Sequence, residues 1–177
     1  SMPIQEESIG CAKAESMSSM QTDSEESSAD SLSVIVSDKS IPLTFTNDKA
    51  FPWTIGDGCL QNGNAGNANS SSTLSFSYNC NERTELSFDW ACYNYSRHNL
   101  YLYVDGVLKN STTNSSYTSP RYFVDKGSHV ITFKDSIGSS TYQQRDWSKI
   151  RNICVKSILP LETAVLTDKS QPLTFVN

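Results

Sequence analysis

The stretch from Glu85 to Gly106 constrains the fold more than any other part of the sequence. Large apolar side chains occupy every second position from Leu86 to Cys92, and this period of two predicts a strand with one buried face. A polar break at 94–99 separates it from a second alternating segment, Leu100–Val104. Asp105-Gly106 then has the composition of a hairpin turn. Two consecutive strands of this kind predict an all-β protein, an antiparallel β-sandwich.

The rest of the central region adds short strands and long polar loops. Strands are predicted at Leu43–Asn47, Phe51–Ile55, Thr73–Cys80, Val107–Lys109, Tyr122–Val124, His129–Lys134 and Ile150–Ile158. Long loops are predicted at Gly56–Ser72, Asn94–Asn99, Asn110–Pro120 and Asp135–Trp147. Because strand direction alternates in a sandwich, we expect the long loops at one end and the tight turns at the other.

An internal repeat organises the chain. Ser37–Asn47 recurs as Thr167–Asn177, with eight identical residues in eleven positions. This predicts a tandem array of similar domains, with neighbouring repeats as partners. The alternative is that the second copy completes the sheet of this domain or of a neighbouring molecule. We divide the chain into an acidic, Ser-rich linker or leader remnant at 1–33, a β-sandwich repeat at 34–160, and a linker with the start of a second copy at 161–177.

Composition excludes several classes of partner. The net charge is -5, whereas nucleic-acid binding requires a clustered basic face. No apolar run approaches the ~18 residues that a membrane-spanning helix needs. The five cysteines include no CxxC pair, which argues against zinc. Cys80 and Cys92 fall on the apolar phase of their strands, so we interpret them as buried free thiols, with a disulfide as the alternative.

The order of several short motifs is also informative. They are Trp53, Ser70–Ser72, Leu86–Trp90, Tyr103–Gly106, Gly127–His129, Lys134-Asp135 and Asp146–Ile153. Over residues 43–158 this series resembles the MAM-like, concanavalin A-like jelly-roll modules of bacterial cell-surface proteins. The resemblance implies a jelly roll, an extracellular location (cell surface or secreted), and adhesion or glycan binding without catalysis. Arg151 stands where the family pattern often has an aspartate, which puts a shared cation site in doubt.

Long loops on a rigid scaffold are the usual place for a binding site, so we place the ligand at the long-loop end. The ligand-binding candidates there are Tyr95, Arg97, His98, Tyr117, Tyr142, Gln144 and Arg145, with Gln143 and Trp147 beside them. Aromatic rings can stack on sugar faces, and Arg and Gln can bridge hydroxyl groups. The same residue types dominate protein-binding hot spots, so both glycan and protein partners remain open.

The tryptophans, two tyrosines of the second alternating segment and the two histidines also have a purely structural interpretation. We expect Trp53, Trp90 and Trp147 in the core and Tyr101 and Tyr103 on an outer sheet face. His129 reads as a structural strand residue and His98 as a solvated loop residue.

No catalytic group is predicted. Asp89 and Asp105 could form an acid–base pair, but the turn explains Asp105 and Asp89 alternates outward. We expect no cofactor; the alternative is a structural calcium ion bound by Asp48, Asp57, Asp135 or Asp146. The chain is therefore predicted to be a non-catalytic surface adhesion module that binds glycans. The alternatives are a repeat that binds a host protein such as an immunoglobulin, and a structural stalk spacer.

Overall fold

The computed structural model describes residues 41–93, 97–142 and 145–159, so the predicted terminal segments 1–33 and 161–177 lie outside the described residues. The described residues contain ten β-strands and no α-helix. The strands are β1 (Thr44–Asn47), β2 (Thr54–Gly56), β3 (Cys59–Gln61), β4 (Ser70–Cys80), β5 (Arg83–Cys92), β6 (His98–Val104), β7 (Val107–Thr112), β8 (Arg121–Val124), β9 (Gly127–Ile137) and β10 (Ser148–Ile158). No helix long and apolar enough to cross a bilayer occurs in this part of the chain.

The strands form two five-stranded antiparallel sheets that pack face to face. The first sheet has the order β1-β4-β9-β6-β7, and the second has the order β2-β3-β10-β5-β8. Within them, strands β3 to β10 are arranged as 4-9-6-7 and 3-10-5-8, which is the strand order of an eight-stranded jelly roll. The predicted fold class, an antiparallel β-sandwich with jelly-roll topology, is confirmed.

The core lies between the sheets and is built from the alternating residues of each strand. In β5 the side chains of Leu86, Phe88 and Trp90 are at most 1% exposed. The Phe88 ring packs edge-on against Trp90 and Phe133, with centroid separations of 5.2 and 4.9 Å. Trp53 is also buried. The predicted inward phase of β5 and the core positions of Trp53 and Trp90 are therefore confirmed.

One predicted loop contains strands. Within Gly56–Ser72, residues Cys59–Gln61 form β3, and β4 begins at Ser70. Leu60 is fully buried opposite Ile150 of β10, but a single apolar residue in a three-residue strand gives no periodicity to detect. The serines at the start of β4 are in strand conformation because they pair with residues 135–137 of β9.

The long loops meet at one end of the sandwich, as predicted. Their backbones bond directly: Gly138 N donates to Arg97 O at 2.8 Å, and Asn69 N donates to Gly138 O at 2.8 Å. The opposite end carries only tight turns, of which Asp105-Gly106 has φ angles of 51° and 79°. Those angles are the ones that a type I′ hairpin requires. We call the first end the long-loop end.

Candidate functional site

Buried polar side chains fix the long loops in place. Asn62, at the end of β3, is 5% exposed. Its amide donates to the backbone oxygen of Asp146 at 2.9 Å and to the Asp135 carboxylate at 3.2 Å. Its oxygen accepts the backbone N–H of Ser148 at 2.7 Å. The Asp146 carboxylate in turn accepts the backbone N–H of Tyr142 at 2.9 Å. The loop between β9 and β10 therefore rests on a hydrogen-bonded base.

His98 belongs to this buried base, so its interpretation as a solvated loop residue is wrong. It is the first residue of β6 and is fully buried. Its Nε2 lies 2.7 Å from Asp135 Oδ1. The reason is strand phase: even-numbered positions of β6 face the core, and the strand begins at His98, two residues before its first apolar core residue, Leu100. As a member of the candidate ligand set, His98 can act only through the loops that it supports.

The surroundings of His98 stabilise its charged form. Burial alone would lower the pKa of His98, but the hydrogen bond to Asp135 and the nearby Cys92 thiol outweigh it and raise that pKa from 6.5 to about 10. Donor atoms of Cys92, His98 and Asp135 lie within 4.8 Å of one another, a donor set that could hold a metal ion. The His98–Asp135 bond already joins two of these groups, and His98 Nδ1 has no partner that meets hydrogen-bond geometry. The arrangement is that of a buried ion pair.

Above this base, on the outer face of the second sheet, aromatic rings alternate with cations. We call Tyr142, Arg145, Tyr93, Trp147 and Lys149 the aromatic row. The Arg145 guanidinium lies 4.9 Å from the Tyr142 ring and 5.9 Å from the Tyr93 ring. Tyr93 packs edge-on against Trp147 at 5.7 Å, and the Lys149 ammonium lies 4.7 Å from the Trp147 ring. These side-chain contacts within the row are aromatic or cation–π.

The backbone holds the aromatic row rigidly while leaving its side chains accessible. Tyr93 N donates to Trp147 O at 2.9 Å, which continues the pairing of β5 with β10. Tyr142 is 50% exposed, Arg145 is exposed, and the other three residues are half-buried. Among the described residues, no carboxylate lies within ion-pair distance of Arg145 or Lys149. The row thus offers aromatic rings and two cations that have no ion-pair partner in the described part of the chain.

A second group continues along the same face. The Arg151 guanidinium lies 3.8 Å from the Tyr117 ring centroid and donates to Asp89 at 3.2 Å. Asn152 donates to the same Asp89 oxygen at 2.7 Å. Burial and the neighbouring Cys59 thiol raise the pKa of Tyr117 to about 12. Tyr117 therefore lies against the sheet and forms part of its outer surface instead of projecting from its loop.

Apart from the buried His98, the predicted candidates divide into three groups. Tyr142 and Arg145 belong to the aromatic row, and Tyr117 lies farther along the same face. Arg97 is exposed at the long-loop end, where it donates to the Ser139 hydroxyl at 2.6 Å. Two candidates and a neighbour lie outside the described residues: Tyr95, Gln144 and Gln143.

The sequence analysis missed Tyr93 and Lys149 and assigned Trp147 to the core, whereas that ring is only half-buried. The signal was present in the strand phase. Tyr93 extends the outward positions of β5 by one step, and Trp147 and Lys149 alternate with the buried residues Ser148 and Ile150.

Other residues singled out in the sequence have structural positions. His129 lies in β9, with Nδ1 2.7 Å from the carboxylate of Asp105 in the turn. Tyr101 and Tyr103 are half-buried neighbours on β6, with ring centroids 6.4 Å apart. Cys80 and Cys92 are free thiols, as predicted. Cys92 is fully buried, but the predicted burial of Cys80 is wrong, since that residue is only half-buried at the end of β4.

Three of the four aspartates considered for calcium already accept internal hydrogen bonds. Asp48 accepts backbone N–H groups of Phe51 and Thr73 at 2.9 and 3.0 Å, and these bonds contribute to a lowered pKa against the opposing effect of burial. Asp135 and Asp146 are fully buried in the base. Asp57 is exposed in the turn between β2 and β3.

No protein-family model matches the sequence, and no curated protein is similar to it in sequence. Among solved structures, the chain is similar to part of the secreted serine protease VesC from Vibrio cholerae, with a TM-score of 0.56 and 15% identity. That match covers 64% of this chain and 24% of VesC, so the chain spans about a quarter of that protein.

Two further structures match less well. The K3 cleaved adhesin domain of Lys-gingipain from Porphyromonas gingivalis w83 has a TM-score of 0.46 and 10% identity over 65% of this chain and 91% of that domain. The module TmCBM61, solved with β-1,4-galactotriose, has a TM-score of 0.43 and 13% identity over 66% of this chain and 89% of that module. Such low scores carry no argument about ligand. The likeness to VesC shows the β-sandwich fold alone, and the narrower MAM-like assignment stays a prediction.

Proposed function

We propose that this chain is a non-catalytic binding module that recognises glycans through the aromatic row. The observation that carries the proposal is the accessible, unbroken series of rings and cations from Tyr142 to Lys149 on a rigid sheet face. A pyranose ring presents an apolar face of C–H groups bordered by hydroxyl groups. An aromatic ring covers the former, and an N–H donor beside it binds the latter.

The position of the row supports binding by a preformed surface. Its backbone is fixed by β5 and β10 on one side and by the Asp146 hydrogen bond to Tyr142 on the other. Little backbone ordering is then required when a ligand binds, which reduces one of the costs of association. Repetition of the module in an extracellular chain would add avidity to a weak single site.

The test is a glycan array with the full chain, followed by calorimetry on the best ligand. Tyr142→Ala and Trp147→Ala should each weaken binding by at least about tenfold, a loss of ~1.4 kcal/mol. The matched control is Phe123→Ala, because Phe123 is a 57% exposed ring on the opposite end of the same sheet face. Phe123→Ala should leave the affinity unchanged. Equal losses in all three variants, or none in the two row variants, would place the site elsewhere.

A protein partner is the second candidate, since exposed Tyr, Trp and Arg are also typical of hot spots. Screening the same variants against serum and mucosal proteins separates the two. A protein hit without a glycan hit, with a footprint that buries roughly 1,200–2,000 Å² in total, would replace the glycan proposal. If neither the glycan array nor the protein screen finds a ligand, the result would favour a structural stalk spacer.

A further inference from the structure

We infer that the ligand of the aromatic row is an anionic sugar, one that carries a carboxylate or sulfate group. This inference rests on the proposed glycan-binding function and specifies its ligand. The geometry behind it is the placement of Arg145 and Lys149 at the row without any carboxylate partner within 4 Å among the described residues.

Three other cations on the same sheet face do have carboxylate partners. On the same sheet face, Arg151 is paired with Asp89 at 3.2 Å, and Arg121 and Lys156 both lie within 3.5 Å of Glu85. Asp89 and Glu85 thus pair with cations farther along this face, and no described carboxylate lies within 4 Å of the two cations of the row.

The two carboxylates of the base add no negative charge to the surface of the long-loop end, because they point inward. Asp135 and Asp146 are fully buried and satisfied within the base. Arg97 is exposed at the same end, and its guanidinium donates to a serine hydroxyl instead of a carboxylate. Positive charge that is not cancelled by nearby residues attracts an anionic ligand and orients it during encounter.

Stacking leaves the Arg145 donors free for such a ligand. A guanidinium that lies over an aromatic ring uses its face, while its five N–H groups point outward in its plane. Those donors match the two oxygens of a carboxylate or sulfate in a bidentate arrangement. The neighbouring rings of Tyr142 and Tyr93, 4.9 and 5.9 Å from the guanidinium, can cover the attached sugar. The row therefore combines an anion site with a stacking surface.

The experiment compares matched ligands that differ only in charge. One pair is an oligogalacturonate and its carboxyl-reduced form; the other is a sulfated galactan oligosaccharide and its desulfated form. We expect one charged member to bind the full chain at least about tenfold more tightly than its neutral partner. This preference should weaken between low salt and 0.5 M NaCl, because salt screens exposed charges. The pair that shows the preference identifies carboxylate or sulfate as the source.

Variants then assign the preference to the row. Arg145→Gln and Lys149→Gln should each reduce the preference several-fold while keeping the weaker binding of the neutral sugar. Arg83→Gln is the matched control, since Arg83 lies 4.5 Å over the Phe123 ring at the opposite end, and it should change neither.

The outcomes separate this inference from the function on which it rests. Equal binding of charged and neutral members, or a preference that both row variants retain, overturns the inference and leaves glycan binding in place. Failure of every sugar to bind overturns both.

Discussion

The stability of this domain should fall as the pH rises from neutral to alkaline, and the pair of His98 and Asp135 should be the cause. Both side chains are fully buried, with Nε2 and Oδ1 2.7 Å apart. The pKa of His98 rises from 6.5 to about 10 on folding. Below pH 6.5 the imidazole is protonated in both the folded and unfolded states, so the stabilisation is fully present. It is lost progressively as the pH rises through the folded-state pKa.

The size of the effect follows from the shift. One pKa unit corresponds to ~1.36 kcal/mol, so the change from 6.5 to about 10 corresponds to a loss on the order of 5 kcal/mol in the free energy of unfolding. This agrees with the roughly 3–5 kcal/mol that removal of one partner from a buried ion pair costs. For a domain of this size, such a loss is a large part of the total stability.

The assay is urea unfolding of the full chain at pH 6, 8 and 10, with Asp135→Asn and His98→Gln measured in parallel. Wild-type protein should lose several kcal/mol across this range. Each variant should be less stable at pH 6 and should depend less on pH, since neither retains the pair. The difference between wild type and variant removes the contributions of tyrosines, lysines and the free thiols. A difference that stays constant from pH 6 to 10 would show that His98 is neutral in the folded protein and refute the reasoning.

Three further substitutions test packing and backbone, each measured by the same unfolding assay at pH 6. Phe88→Ala should cost ~3–5 kcal/mol, because the 1% exposed ring contacts aromatic rings on both sheets; a loss below 1 kcal/mol would contradict its central role. Asn47→Ala should cost ~2 kcal/mol, since it leaves unpaired the N–H and C=O groups of Trp53, bonded at 2.8 and 2.9 Å. Gly106→Ala should lower the free energy of unfolding by ~1 kcal/mol because of its φ of 79° alone, since no atom lies within 4 Å of the added methyl group. The control is Gly56→Ala, which has the same open space but no positive φ, and it should leave the free energy of unfolding nearly unchanged.

Strand alternation made the fold predictable, and short or irregular elements limited the prediction. The alternation in β5 and β6 was sufficient to identify the buried face of each strand, because each repeats over several residues. β3 has three residues and no repeat, so its burial opposite Ile150 depends on a partner 90 positions away in the sequence. The prediction for His98 was wrong for a related reason. A polar residue at the start of a strand gives no apolar signal, and only its hydrogen bond to Asp135 explains why it is buried.

The repeated segment acquires a physical explanation from the structure. Of the eight residues shared by 37–47 and 167–177, Leu43, Phe45 and Asn47 make the contacts that anchor β1. Phe45 packs on Phe76 at 5.3 Å, Leu43 packs against the core, and Asn47 bonds to Trp53. Of the two varied positions that the structure describes, Thr46 is exposed, whereas Ile41, which corresponds to Gln171 in the second copy, is buried in the core. The second copy therefore keeps three contact residues of the first strand but not the buried Ile41, and the tandem array stays a prediction.

The order of the strands in the second sheet brings the residues of the candidate site together. This order cannot be read from a single sequence. Tyr93 follows β5, Trp147 precedes β10, and Tyr117 lies in the loop before β8. They share one surface only because β10, β5 and β8 are adjacent in the second sheet. The sequence could place long loops at one end by counting strand directions, but it could not tell which of them lie side by side. The jelly-roll order supplies that information. This strand order brings separate loop residues together as a continuous row of rings and cations. The buried His98–Asp135 pair supports the row from below. Mutations in the base should therefore also alter ligand binding, because they change the geometry of the row.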